Sequence, residues 1–207
     1  MKIKLSIIEI FFIAFLILIF IIEFSGFKNT LYKQFDLIID NNLDVIMEKN
    51  PDLSEPQLDM LKKAFEELKK LIFATYYTIF LIIALPIYFL TSKKKFEDIS
   101  LPSPYFLLVF VILASILLLF RDHEFIFLKN ILSMMFFNYI IIGVAIFIFI
   151  TSHILKNNKF KILNYILAFL LLTRLREFFF LVGIADHWVD LRKKVGGKNG
   201  SNIDKRL

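Results

Sequence analysis

The sequence predicts an all-α, polytopic membrane helix bundle, with about five membrane helices plus an amphipathic extramembrane helical hairpin. Three observations predict it. First, 58% of the 207 residues are of hydrophobic type and the mean hydropathy is +0.70, whereas a soluble domain is roughly half apolar. Second, the apolar residues are gathered into blocks long enough to cross a hydrocarbon core of about 30 Å. Third, the blocks lack the short apolar–polar alternation of a membrane barrel. Backbone groups in lipid must then be paired within each segment, which makes the blocks helices.

The first block covers about residues 5–25. Its apolar run exceeds the h-region of a signal peptide, about 7–15 residues, and Phe24-Ser25-Gly26-Phe27 is a poor small-residue cleavage site. Residues 1–27 are therefore expected to remain as a membrane helix. Residues 28–70 are of a different kind. Leu31, Phe35, Ile38, Ile39, Val45 and Ile46 recur at helical spacing. Asp36, Asp40, Asp44 and Glu48 follow at steps of four and stack along one side. They read as a solvated face, with a cation-attracting strip as the functional alternative.

The second half of the hairpin is NPDLSEPQLDMLKKAFEELKKLI. Ser54 and Gln57 have capping-box spacing, Leu53 and Leu58 fit the hydrophobic staple around it, and Pro56 falls in the first turn. Leu58, Leu61, Phe65, Leu68 and Ile72 share one side, and Asp59–Lys63 and Glu66–Lys70 are favourable i,i+4 pairs. No breaker precedes the block at 71–91. One long helix is therefore expected to run into the membrane, with Pro86 as a kink point. The loop TSKKKFEDISLPSP, residues 91–104, is a basic turn with two prolines. Blocks at 104–120, 131–153 and 162–189 complete a bundle over residues 71–194, followed by a flexible basic tail, 195–207.

Topology stays open. With the N-terminus inside, Lys2, Lys4, Lys93, Lys94, Lys95, Lys156, Lys159 and Lys161 obey the positive-inside bias. Five crossings then leave Arg192, Lys193, Lys194, Lys198, Lys205 and Arg206 outside. The reverse orientation exposes the triple lysine instead. A third arrangement makes residues 160–190 a re-entrant or broken pair.

Composition narrows the function classes. The net charge of +6 comes from Lys and Arg at block ends, which suits anionic headgroups rather than nucleic acid. There is no cysteine, which excludes disulfides, thiolate metal sites and cysteine nucleophiles. No Gly-rich phosphate loop, HExxH or nucleophile elbow occurs, and no nucleophile is paired with a base. His123 and His153 sit near block ends as interfacial residues. The expectation is a protein that is not an enzyme and holds no cofactor or metal.

The last block, FLLLTRLREFFFLVGIADHWVDLRKK, carries charges that are costly at membrane depth. Wound as one helix of about 3.6 residues per turn, it places Arg176, Gly183, Asp186, His187, Asp190 and Lys194 in one stripe. Arg174, Glu177, Trp188 and Arg192 form a second. Leu175, Phe178, Val182, Ala185 and Val189 make a clean lipid-facing arc. Arg174 and Glu177 can pair at i,i+3, Asp190 and Lys194 at i,i+4, and Asn138 in the fourth block can lend a polar contact. Arg174, Arg176, Glu177, Asp186, His187, Trp188, Asp190, Arg192 and Asn138 are the candidate intramembrane polar or ligand-binding site. A structural ion pair and an interfacial Trp–Arg anchor account for the same residues in bland terms.

The order of these features resembles the YybS-like predicted bacterial membrane proteins. The resemblance rests on NPDLSEPQLDMLKKAFEELKKLI, FEDISLPSPYFLLVFVILASILLLF, NILSMMFFNYIIIGVAIFIF and LVGIADHWVDLRKK. In the last stretch, Gly183, Asp186, Trp188, Asp190 and Arg192 match the family's closing pattern. The match spans roughly residues 30–194, and the chain is shorter at its N-terminus than the family. The family is distantly similar to the substrate-binding subunits of energy-coupling-factor transporters. That similarity implies a small-molecule solute bound in a bundle, a partner membrane or ATPase subunit, and a multi-pass location in the bacterial cytoplasmic (inner) membrane. Two functions fit: binding or helping to transport a small solute, or a structural, assembly role in which the 30–70 hairpin docks a partner. Alongside the lipid bilayer itself, no nucleic acid is expected among the partners.

Overall fold

The structure, a computed structural model, describes residues 5–92, 94–120, 125–155 and 161–196. Within them the regular elements are all helical. The chain runs α1 (Ile7–Phe24), α2 (Phe27–Lys49), α3 (Glu55–Lys70), α4 (Ile72–Ser92), a single 3-10 turn (Phe96–Asp98), α5 (Pro104–Leu119), α6 (Ile126–Leu155), α7 (Lys161–Leu172), α8 (Arg176–Val189) and α9 (Leu191–Gly196). Lys2, Lys4, Lys93, His123, Lys156, Lys159 and the tail from residue 197 on lie outside the described residues.

Helix α1 starts at a capping box. The Glu9 N–H donates to Ser6 Oγ at 3.2 Å, and the Ser6 N–H donates to Glu9 Oε2 at 2.8 Å, so two of the helix's orphan donors are satisfied. At its other end Gly26 takes φ 73°, a left-handed conformation open to glycine at no steric cost. The chain thereby passes straight into α2.

The amphipathic hairpin forms as expected. Ser54 caps α3, its N–H donating to Gln57 Oε1 at 3.0 Å. Lys69 Nζ reaches Asp36 Oδ1 of α2 at 2.6 Å. The inward stripe of α2 differs from the one the spacing suggested. Ile39 and Leu43 are buried, with Leu31 and Phe35 packed on the core, while Ile38 and Val45 are exposed. A helix that touches its support along i,i+4 rows buries only a narrow seam.

One long helix from the hairpin into the membrane does not form. The helix breaks at Leu71, and the breaker is distant in sequence. Asn130, on α6, inserts its amide into the ladder: its Oδ1 accepts from the Ala74 N–H at 2.9 Å and its Nδ2 donates to the Lys70 carbonyl at 2.7 Å. Those two backbone groups are the pair that would bond each other in an unbroken helix.

Among the described residues three helices, α1, α4 and α6, are long and apolar enough to cross a membrane. The expected five are thus not five of equal length. Helix α5 has 16 residues. The last block is not one helix: it breaks at 173–175 into α7 and α8, with 12 and 14 residues. In the break the N–H groups of Arg174 and Leu175 both bond the Leu171 carbonyl. The last block is thus broken, the local feature that the third arrangement called for.

Helix α6 is the axis of the bundle and contacts α1, α4, α5, α7, α8 and α9. Met134, Met135, Tyr139, Ile142, Ala145 and Ile146 are fully buried on it, as befits a helix apolar all round. Asn164 of α7 ties to it, donating to the Ile148 carbonyl and Ser152 Oγ and accepting from Thr151 Oγ1 at 2.7 Å. The most extensive contact is with α8. A Cβ on Gly183 would lie 2.1 Å from the Tyr139 carbonyl oxygen, and one on Gly143 would lie 1.8 Å from that of Phe179. Only glycine permits backbones this close, the usual role of small residues between membrane helices.

Candidate functional site

Helix α8 presents Phe179, Gly183 and Asp186 to the interior, at steps of four and three, and all three are buried. The Gly183 contact sets Asp186 deep against α6, with 2% exposure. A carboxylate buried there needs partners. Its Oδ1 accepts from the Leu191 N–H at 2.5 Å, and its Oδ2 lies 4.0 Å from Arg192 Nε.

This geometry depends on the chain turning back at Asp190, the one non-glycine with positive φ among the described residues, at 46°. Aspartate tolerates this region better than most residues, and its Oδ1 accepts from the Lys193 N–H at 3.2 Å. The helix therefore ends at Val189, and the single helical wheel drawn through residue 194 does not apply. Arg192 swings in rather than out. Its Nη1 donates to the carbonyl of Ile99, which lies in the loop between α4 and α5. The paired stripe partner expected for Asp190, Lys194, is replaced by this turn.

The same loop is gripped from its other end by α1. Glu9 is 3% exposed, and its Oε1 accepts from both the N–H and the Oγ of Ser103, at 2.8 and 2.5 Å. Between the two clasps stands Tyr139 of α6. Its hydroxyl is 3.4 Å from His187 Nε2, its ring is 5.8 Å from the imidazole, and Phe106 and Phe110 pack on it from α5. Buried charges are strongly destabilising when one partner is lost. Here they hold the α4–α5 loop, α1 and α9 against the central helix.

The structure thus divides the predicted site. Asp186, His187, Asp190 and Arg192 come together at this junction. Trp188 is 71% exposed beside them, in keeping with an interfacial anchor. Arg174 lies exposed in the turn between α7 and α8. The expected Arg174–Glu177 pair is replaced by Arg176, whose Nε is 2.7 Å from Glu177 Oε1, and both are exposed. Break and turn move Arg174 off the helical face on which the pairing was drawn. Asn138 is fully buried and faces α4: its Oδ1 accepts from Tyr77 Oη at 2.7 Å.

Glu9, Ser6, Ser103 and Tyr139 were not singled out in the sequence. Ser6 and Glu9 carried a readable signal, the same S-x-x-E/Q spacing that marks Ser54 and Gln57. Ser103 and Tyr139 carried none.

Two clefts lie away from this junction. One, of about 590 Å³, runs between α4, α6 and α7 and has Leu85, Phe89, Val144 and Ala168 in its walls. The other, of about 330 Å³, lies between α4 and α6 and is lined by Thr75, Thr78, Ser133, Phe137 and Arg176. No group of three or more metal-ligating side chains occurs among the described residues. Comparison of the chain with models of known protein families, with curated proteins and with solved structures gave no match.

Proposed function

We propose that this chain is a multi-pass protein of the bacterial cytoplasmic membrane that binds, and helps to move, a small anionic solute without covalent chemistry. Three helices of spanning length support the membrane setting. The observation that carries the solute reading is Arg176 at the rim of the cleft between α4 and α6, beside Thr75, Thr78 and Ser133. Its volume of about 330 Å³ is at the small end of known ligand sites, about 300–1,000 Å³. A guanidinium over an apolar floor recognises a carboxylate or phosphate group, while the Thr75 and Thr78 hydroxyls donate to the carbonyls of Leu71 and Ala74 and keep only acceptor capacity. Energy for movement then comes from a partner subunit, in line with the resemblance of the sequence to YybS-like proteins.

One observation favours a second reading, an assembly protein. Helix α3 buries none of its residues, and Met60 at 72% and Leu37 at 63% exposure leave apolar surface on the hairpin. Such surface suits a partner protein.

Native mass spectrometry on protein gently extracted from its own membrane separates the two. A discrete bound solute that is lost in Arg176→Gln, with folding intact, supports the first reading. Retention of only lipids and a partner chain, lost when residues 30–69 are removed, refutes it in favour of the second.

A further inference from the structure

The larger cleft makes a different demand on its occupant. Its walls are apolar along their length: Leu85 and Phe89 from α4, Val144 and Ile148 from α6, Ala168 and Phe169 from α7. At one end, just past the C-terminus of α4, Lys94 and Lys95 close it. The carboxylates nearby are turned to other tasks. Glu97 accepts from Tyr165 Oη at 3.3 Å and lies 3.8 Å from Lys95 Nζ with its own side chain only 13% exposed. Asp98 accepts from the Lys95 N–H. Lys94 has no ion pair among the described residues, and the Lys95 side chain is 62% exposed.

A polar solute has no partners along such a wall, and a purely apolar one leaves the Lys94 ammonium without a counter-charge and Lys95 with Glu97 alone. An amphiphile answers both. We propose that this cleft is a binding site for an anionic phospholipid, one acyl chain lying between α4 and α7 and the phosphate meeting Lys94 and Lys95. The volume of about 590 Å³ is within the range of ligand sites, and basic ends of clefts between membrane helices are suited to anionic headgroups. Lys95 and Tyr165 share Glu97, so the headgroup end of the site and the wall of α7 are set by one carboxylate. The site is separate from the Arg176 cleft and does not depend on the solute reading.

The test uses the full chain with a tryptophan placed in the cleft. Trp188 is the single native tryptophan, so Trp188→Phe with Phe89→Trp gives one reporter in the cleft wall. The protein is reconstituted into phosphatidylcholine vesicles containing a small fraction of brominated phosphatidylglycerol, or of brominated phosphatidylcholine as the control. Selective quenching by brominated phosphatidylglycerol is expected. Lys94→Ala with Lys95→Ala should weaken it about thirtyfold in apparent affinity, about fivefold for each lysine. These lysines are exposed, so folding is not at stake, and an unchanged melting temperature checks it. Equal quenching by the two brominated lipids, or selective quenching unaltered by the double substitution, overturns the proposal.

Discussion

Replacing Gly183 by alanine tests the closest contact in the bundle, because two effects of opposite sign compete there. In an ordinary helix interior, alanine is favoured over glycine by about 1 kcal/mol. Here the new Cβ would meet the Tyr139 carbonyl oxygen at 2.1 Å, where ordinary contact begins at 3.4 Å. The obstacle is main chain, so no side chain can rotate away. The α6 and α8 backbones must part by about 1 Å, and a gap of that order forfeits a quarter to a half of each dispersion contact along the seam. Overpacking of this kind costs about 1–3 kcal/mol, and the displaced Asp186 weakens its bond to Leu191 as well. Net destabilisation of roughly 2 kcal/mol is expected, from unfolding in mixed micelles titrated with SDS. Gly143→Ala, which meets the Phe179 carbonyl at 1.8 Å, should behave alike. A Gly183→Ala protein more stable than the parent by about 1 kcal/mol would refute the close approach, since propensity alone would then be acting.

Three further outcomes follow from named contacts. Glu9→Ala removes the acceptor of three hydrogen bonds and leaves the buried N–H of Ser6 and the part-buried N–H of Ser103 unpaired, so a loss of roughly 3 kcal/mol is expected. Glu9→Gln keeps an acceptor and should lose about 1 kcal/mol by the same melting assay. Asn130→Ala withdraws the amide wedge, so the Ala74 N–H should bond the Lys70 carbonyl directly and join α3 to α4. Spin labels on cysteines at Ser54 and Ser92 read this as a changed distance, and an unchanged one rejects the wedge. At Lys69, the hydrogen bond that the ammonium donates to Asp36 holds its pKa above the usual lysine range. Its folded value exceeds the unfolded one, so the contribution is complete below about pH 10.4 and lost as pH rises through the folded value. This half-buried, water-accessible pair contributes only about 0.2–1 kcal/mol. The hairpin should thus become slightly easier to melt at alkaline pH, and Lys69→Met should abolish that slope.

Much of the architecture was legible in the chain itself, because it depends on properties that are local. Helical class and the first, second and fourth apolar blocks follow from length and hydropathy, and α1, α4 and α6 occupy them. The start of α3 follows from Ser54 and Gln57, which satisfy each other within one turn. What tertiary structure alone decided is where helices stop and where charges point. The break at Leu71 is made by Asn130, some sixty residues away, and the turn at Asp190 is held by contacts reaching the α4–α5 loop. A helical wheel assumes that the helix continues, so it grouped Arg176 with Asp186 and paired Arg174 with Glu177. The folded chain instead sends Arg176 to one cleft and Arg192 to Ile99, and pairs Arg176 with Glu177. Buried polar groups seek partners through space, and sequence spacing reports only the partners that lie within a turn or two of the same helix.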